Sequence, residues 1–151
     1  MQGEATIHID ATPDEVYDLV TDVTRMGDWS PECIRAEWVD GAKGPAVGAK
    51  FKGHNKIGRF MKWSTTPGVT VAERGQEFAF RTKETIWRYR LAPAPGGTGT
   101  EVTESFEVVT YNKAMQLIAP EKKRQPQMIE GMHETLRRLK ATAESAGAGA
   151  N

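Results

Sequence analysis

Apolar and polar residues alternate along much of the chain between residues 5 and 109. This two-residue period is typical of strands with one buried face. It predicts a first strand over residues 5–9 and, from Ile34 to Val109, a series of antiparallel strands separated by glycine and proline turns. In the strand that starts at Ile34, the apolar set Ile34, Ala36 and Trp38 is expected to face inward. We therefore expect one curved antiparallel sheet.

Two segments show the helical period instead. Thr12, Pro13 and Glu15 form a capping box with proline at the first helical position, which predicts one broken helix or two short ones after the first strand. A second pattern, from about Pro126 to Ser145, predicts a long amphipathic helix that needs an apolar face to cover. Its stripe comprises Met128, Met132, Thr135, Leu136, Leu139 and Ala143.

The element order predicts an α+β fold in which the curved sheet wraps around the C-terminal helix. A short apolar turn around Met115, before Pro120, is a candidate lid. Residues 1–145 are expected to form a single domain, because the chain has 151 residues and no internal linker. Residues 146–151 lack any large side chain, and we expect them to be a disordered tail.

The charge balance, the apolar runs and the Cys and His content of the chain disfavour several classes of function. The chain holds 20 Lys and Arg against 20 Asp and Glu, so its formal net charge is zero, and nucleic-acid binding is disfavoured. There is no apolar run long enough to span a bilayer and no signal-like start, which together predict a cytoplasmic protein. With one cysteine, Cys33, and three histidines without ligand-like spacing, we expect no metal site.

The local motifs resemble a known family. The segments TPDEVYDLVTDVTRMGDWSPE, VGAKFKGHNK, TEVTESFEV and GMHETLRRLKATAE are similar to those of the bacterial polyketide cyclase/dehydrase and lipid-transport group, within the START-like (SRPBCC) superfamily. The resemblance runs from about residue 5 to residue 144. It implies the helix-grip fold, whereas the superfamily includes lipid carriers, cyclases, hydrolase-activating proteins and members of unknown role, so function must be argued separately.

A sheet that curves around one helix leaves a cavity between the two walls, and this implies a site for an apolar ligand. The aromatic and thioether side chains expected to line it are Trp29, Trp38, Phe51, Trp63, Phe78, Phe80, Trp87, Tyr89, Phe106, Met128 and Met132. An ordinary core is the alternative for any one of them. Asn55, Thr82, Tyr89 and Glu104 are candidates to orient a polar end of the ligand.

Glu104 is an acidic residue at a position where the last predicted strand should be apolar, because alternation places it on the same face as Val102 and Phe106. A buried carboxylate must find a partner or change its pKa. Three alternatives remain open: a bond to an inward Arg, Tyr or Trp; a proton donor or acceptor in an apolar site; or a bulge before Val102 that turns Glu104 outward. The catalytic candidates are Glu104 and Tyr89.

The sequence gives little support for nucleophilic catalysis or phosphate binding. The serines lack a nucleophile-elbow context, and the glycines at positions 96, 97 and 99 precede a strand rather than the helix that a phosphate loop needs. No cofactor is expected. The basic residues Lys122, Lys123 and Arg124 are interpreted as a solvated face, with contact to anionic headgroups as the alternative.

Two main hypotheses follow. In the first, the protein is a carrier or sensor that binds a small hydrophobic molecule, such as a lipid, polyketide or aromatic metabolite. In the second, it is a polyketide cyclase/dehydrase-like enzyme in which Glu104 or Tyr89 transfers a proton. A third is an interaction module that contacts a partner through the glycine-rich loop at residues 41–45. Neither the ligand nor the oligomeric state follows from the sequence.

Overall fold

The computed structural model describes the backbone of residues 1–149 and the side chains of residues 1–146. Eight strands form one antiparallel sheet. In chain order they are β1 Gln2–Ile9, β2 Cys33–Val39, β3 Lys50–Ile57, β4 Met61–Thr65, β5 Gly68–Glu73, β6 Glu77–Arg81, β7 Thr85–Pro93 and β8 Thr100–Val108.

Four α-helices and one 3-10 turn complete the chain. They are α1 Pro13–Val20, the turn Val23–Arg25, α2 Met26–Trp29, α3 Lys113–Ile118 and α4 Glu121–Gly149. The sheet order is β1-β8-β7-β6-β5-β3-β2, and β4 pairs with the far half of β3. Helix α4 packs against β1, β8, α1 and α2. The predicted α+β helix-grip architecture, a curved sheet around a long C-terminal helix, is confirmed.

The start of α1 follows the predicted capping box. The Thr12 hydroxyl accepts a hydrogen bond from the Glu15 backbone N–H, and the Glu15 carboxylate accepts one from the Thr12 backbone N–H. These two bonds satisfy donors that a helix start leaves free. Val16 and Val20 on the inner face of α1 are buried, and the helix packs against β6, β7 and α4.

The stripe of α4 is also as predicted: Met128, Met132, Leu136, Leu139 and Ala143 are all buried. The helix is longer than expected, since it begins at Glu121 and Pro126 lies inside it. Proline removes only one N–H, and the preceding turn is held by bonds from the Lys123 and Arg124 amides to the Pro120 carbonyl.

At its other end α4 continues to Gly149. It therefore includes residues 146–149, the first part of the segment predicted to be a disordered tail. Residues 150 and 151 lie outside the described residues. The end of the domain at residue 145 stays a prediction.

A β-bulge changes the predicted face of one residue. The register between β2 and β3 shifts between Cys33 and Arg35, which turns Ile34 outward and leaves it 53% exposed. Cys33 takes the buried position instead. The expectation that Ile34 faces inward is therefore wrong, because a bulge adds one residue to the strand and reverses the alternation locally.

Candidate ligand-binding site

A pocket of about 650 Å³ lies between the inner face of the sheet and α4. Its wall comes from β3, β4, β6, β7 and β8 on one side and from α3 and α4 on the other. This volume falls within the range of small-molecule sites.

Most of the predicted site residues meet in this wall. Phe51, Phe80, Trp87 and Tyr89 supply aromatic rings from the central strands, and their lining neighbours are Asn55, Trp63, Thr82, Glu104, Met128 and Met132. Alternation predicted these positions because every second residue of β3, β4 and β7 faces α4. The structure thus brings together nine of the twelve residues expected to bind the ligand, with Thr82 beside them.

Four predicted aromatics lie outside this wall. Phe78 and Trp29 are fully covered in the core. Phe106 lies under β1, where the space above Gly3 is closed by Phe106 and Ile129 of α4. Trp38 is on the edge strand β2 and packs edge-on against Phe51, with ring centroids 5.7 Å apart. The core alternative describes Trp29, Phe78 and Phe106 better, because all three are buried in the core. Trp38 is only partly buried and packs against that core from outside the pocket wall.

Sequence reasoning missed how strongly methionine contributes to the site. All six methionines of the chain line the pocket: Met1, Met26, Met61, Met115, Met128 and Met132. The residues predicted to bind the ligand included only Met128 and Met132, although alternation also placed Met61 on the inward face of its strand. The thioether side chain is unbranched and polarisable, so a wall rich in methionine adapts to ligands of different shape.

Glu104 points into the pocket. The pairing of β8 with β1 and β7 is unbroken, with Glu104 opposite Ala5 on one side and Tyr89 on the other. The bulge that would have turned it outward is not found in β8. Glu104 is only 5% exposed, and it is the acidic side chain that β8 contributes to the lining.

The partner of Glu104 is a tyrosine. The Tyr89 hydroxyl donates a hydrogen bond of 3.1 Å to Glu104 Oε1, while Glu104 Oε2 is buried with no hydrogen-bond partner among the described residues. Burial raises the pKa of the Glu104 carboxyl from 4.5 to about 8, and the bond from Tyr89 offsets only part of this effect. At neutral pH the carboxyl is therefore mostly protonated.

The pKa of Tyr89 is also raised, well above its ordinary value, first by burial and then by the adjacent Glu104. Tyr89 therefore stays protonated and acts as a hydrogen-bond donor. Together the two side chains form a small polar pair in a largely apolar wall. The pair can hold one polar group of a ligand, and only Glu104 changes its protonation near neutral pH.

An ion pair at the pocket rim was not foreseen. Arg124 at the start of α4 donates to both carboxylate oxygens of Glu32, at 2.5 and 2.8 Å. Both side chains are mostly buried, and such bidentate pairs are strong and directional. The pair fixes the start of α4 to the segment before β2. Arg124 is the one Lys or Arg that lines the pocket in the described part of the chain, and because Glu32 already neutralises it, the pocket presents little free positive charge to an anionic ligand.

Cys33 and Ser64 are potential nucleophiles near the pocket, and neither is arranged for nucleophilic catalysis. The Cys33 thiol lines the pocket, but burial raises its pKa, which disfavours the reactive thiolate. His54 and Ser64 face each other on β3 and β4, with Ser64 Oγ 3.5 Å from His54 Nδ1 and Glu37 Oε1 3.0 Å from His54 Nε2. Glu37 and Ser64 are exposed, so this polar row is open to solvent, and Ser64 also borders the pocket.

The described residues hold neither a metal-binding cluster nor a membrane-spanning helix. Within that part of the chain, no three His, Cys, Asp or Glu side chains come together to hold a metal ion. No helix there is both long and apolar enough to cross a bilayer.

The comparisons with known proteins agree with the fold. A family model described as "Polyketide cyclase / dehydrase and lipid transport" matches residues 2–144. A polyketide cyclase-like protein of Corynebacterium glutamicum, solved by NMR, is 34% identical, with 95% of this chain and 91% of that chain covered and a TM-score of 0.65. No curated protein matches the chain in sequence.

Two further solved structures share the fold at lower identity. A protein of Thermus thermophilus is 18% identical, with a TM-score of 0.77 and coverage of 97% of this chain and 99% of its own. The di-domain ARO/CYC protein StfQ of the steffimycin biosynthetic pathway is 12% identical, with a TM-score of 0.79. That similarity covers 97% of this chain and 51% of StfQ.

Proposed function

We propose a ligand-binding function for this chain, which belongs to the polyketide cyclase/dehydrase and lipid-transport family. In this proposal the pocket holds a small hydrophobic molecule, and the protein acts as its carrier or sensor. The observation that carries the proposal is a pocket of about 650 Å³ whose wall combines aromatic rings and six methionines with one buried polar pair. Cytoplasmic localisation belongs to the same proposal.

The polar pair suggests what kind of ligand fits. A protonated Glu104 offers an O–H donor, and its Oε2 atom has no partner in the described part of the chain. A ligand that places one carbonyl or hydroxyl group against it would satisfy a polar group that is otherwise costly to bury. The remaining ligand surface meets apolar side chains. Lipids, polyketides and aromatic metabolites with one uncharged polar group match this description.

Binding should be visible in tryptophan emission. Trp63 and Trp87 line the pocket, whereas Trp29 and Trp38 do not. Titration with flavone or 1-decanol should therefore give a saturable change in emission. The variant Trp87→Phe should lose much of the change, and Trp38→Phe should keep it. If neither compound alters the emission at any concentration below its solubility limit, the pocket does not bind such ligands.

The alternative function is that of a cyclase/dehydrase-like enzyme, favoured by the position of Glu104 within hydrogen-bond distance of Tyr89. The ionised form of a carboxyl group whose pKa lies near the working pH can accept a proton from the carbon beside a carbonyl, and the protonated form can then return it to an oxygen. In such a reaction Tyr89, which stays protonated, would donate a hydrogen bond to the developing oxyanion.

The variant Glu104→Gln separates the two functions. If the protein is an enzyme, the substitution should abolish turnover of a poly-β-keto substrate with little loss of affinity, because the amide cannot transfer the proton. If it is a carrier, affinity should change only for ligands with a polar end. The paired measurements are a product assay by mass spectrometry and a binding isotherm on the same variant.

A further inference from the structure

The turn between β3 and β4 exposes a large apolar side chain. Phe60 is 90% exposed at the tip of this hairpin, and Met61 beside it is also exposed. The Arg59 guanidinium lies 5.7 Å from the Phe60 ring centroid. Phe60 is among the most exposed apolar residues of the described chain and contributes nothing to the core, so the fold itself does not account for it.

A second exposed apolar patch lies on α3. Leu117 and Ile118 are 86% and 66% exposed. The helix is held at its start by the Asn112 side chain, which accepts from the Met115 amide, and past its end by the Tyr111 hydroxyl, which donates to the Ala119 carbonyl. Leu117 and Ile118 are thus fixed outward. Both patches border the same pocket, since Met61 and Ile118 line it.

Positive charge surrounds both patches. Lys56 and Lys62 face each other directly across the β3–β4 hairpin, an arrangement that destabilises a hairpin. Residues 50–72 contain five Lys or Arg and no Asp or Glu, in a chain of zero net charge. Near the second patch, Lys113 is the first residue of α3, Lys122 and Lys123 lie in the first turn of α4, and all three are exposed.

The acidic groups nearby leave this charge largely uncompensated. Glu32 is bound to Arg124, and Glu37 lies opposite Lys52 rather than the hairpin tip. Glu84 lines the pocket and Glu121 precedes Lys122 in the chain, and both are partly buried. Among residues 1–146, none of the five lysines named around the two patches forms an ion pair, and neither does Arg59.

We propose that this mouth surface, formed by Lys56, Arg59, Phe60, Lys62, Lys113, Leu117, Ile118, Lys122 and Lys123, docks onto an anionic lipid membrane. Exposed apolar side chains within a ring of cations are the combination that enters the interface between headgroups and acyl chains. The positive charge fits a negatively charged lipid surface better than a second copy of the same surface, which would repel it. The proposal does not depend on a ligand being bound in the pocket.

Vesicle co-sedimentation tests it. The intact protein should bind vesicles of phosphatidylcholine with 30% phosphatidylglycerol, bind pure phosphatidylcholine vesicles at least about tenfold more weakly, and be released as salt is raised. The double variant Phe60→Ser/Leu117→Ser should lose about tenfold or more in affinity for the anionic vesicles. Lys56→Glu/Lys62→Glu should lose at least as much.

Matched controls come from the loop between β2 and β3. Val47 is 71% exposed and Lys43 is exposed, but this loop does not line the pocket. Val47→Ser and Lys43→Glu should therefore bind anionic vesicles like the unaltered protein. The proposal is overturned if the unaltered protein ignores anionic vesicles at low salt, or if the mouth variants bind as well as the controls. It is also overturned if light scattering shows a dimer that Phe60→Ser/Leu117→Ser dissociates.

Discussion

Ending the chain at Gln125 should give insoluble or unfolded protein. This truncation removes Met128, Met132, Leu136 and Leu139, which are all buried against the sheet. Burying side chains of this size contributes about 1.5–3 kcal/mol each, so the summed loss approaches the roughly 5–15 kcal/mol by which a whole domain is stable. The exposed inner face of the sheet would then promote aggregation. Soluble yield and the urea unfolding curve measure the effect.

Ending the chain at Ser145 is the matched control. This shorter chain keeps the buried stripe and also Glu144, which accepts hydrogen bonds from the Asp10 amide and from Lys140. Its stability should lie within about 0.5 kcal/mol of the full chain, as for other changes away from the core. A soluble fragment of residues 1–125 that unfolds cooperatively would contradict the helix-grip account.

The substitution Glu104→Gln should stabilise the protein at pH 8, by about 1–3 kcal/mol. The amide oxygen of the new glutamine side chain can still accept the hydrogen bond from Tyr89, and the glutamine side chain is almost the same size as that of glutamate. What disappears is the cost of ionising a buried carboxyl. The sequence left open a charged pair, whose loss would have destabilised the protein. The structure instead shows a carboxyl bonded to a neutral tyrosine.

The sign of the pH dependence follows from the raised pKa. The folded protein keeps the Glu104 proton up to about pH 8, whereas the unfolded chain releases it near 4.5. The contribution of Glu104 to stability is therefore fully present below pH 4.5, falls as the pH rises towards 8, and is constant above that. Urea unfolding at pH 5 and pH 8 should show a smaller pH dependence for Glu104→Gln than for the unaltered protein.

Glu107→Gln provides the control for this comparison. Glu107 lies on the same strand but is exposed, so its replacement should leave the pH dependence unchanged. Equal pH dependence in Glu104→Gln and the unaltered protein would mean that the carboxyl ionises as it does in water. In that case Glu104 would not form the polar end of the pocket.

Local rules were enough to predict the elements and many of the side chains that line the pocket. Thr12 and Glu15 fix the start of α1 through two hydrogen bonds between residues three positions apart. Interactions over such a short distance along the chain can be predicted from the sequence. The unbroken alternation of β8 likewise predicted that Glu104 faces inward. The same reasoning failed at Ile34, because nothing in the sequence around it marks the bulge that reverses the alternation.

Long-range contacts could not be predicted in this way. Arg124 and Glu32 are 92 positions apart, and only the docking of α4 brings them together. The burial of Phe106 behind β1 depends on the missing side chain of Gly3 and on Ile129. Met1, Met26, Met61 and Met115 come from separate parts of the chain, so their convergence on one pocket is a property of the tertiary structure.

That convergence offers the most direct test of the central claim, that the pocket binds a small hydrophobic ligand. With ¹³C-methyl methionine, all six methyl signals of the chain report from the pocket wall. Addition of flavone should shift several of them saturably, including those of Met128 and Met132, and Glu107→Gln should behave like the unaltered protein. Methyl signals that stay unchanged throughout the titration, while backbone amide signals on the outer face of the sheet shift, would show that the pocket is not the binding site.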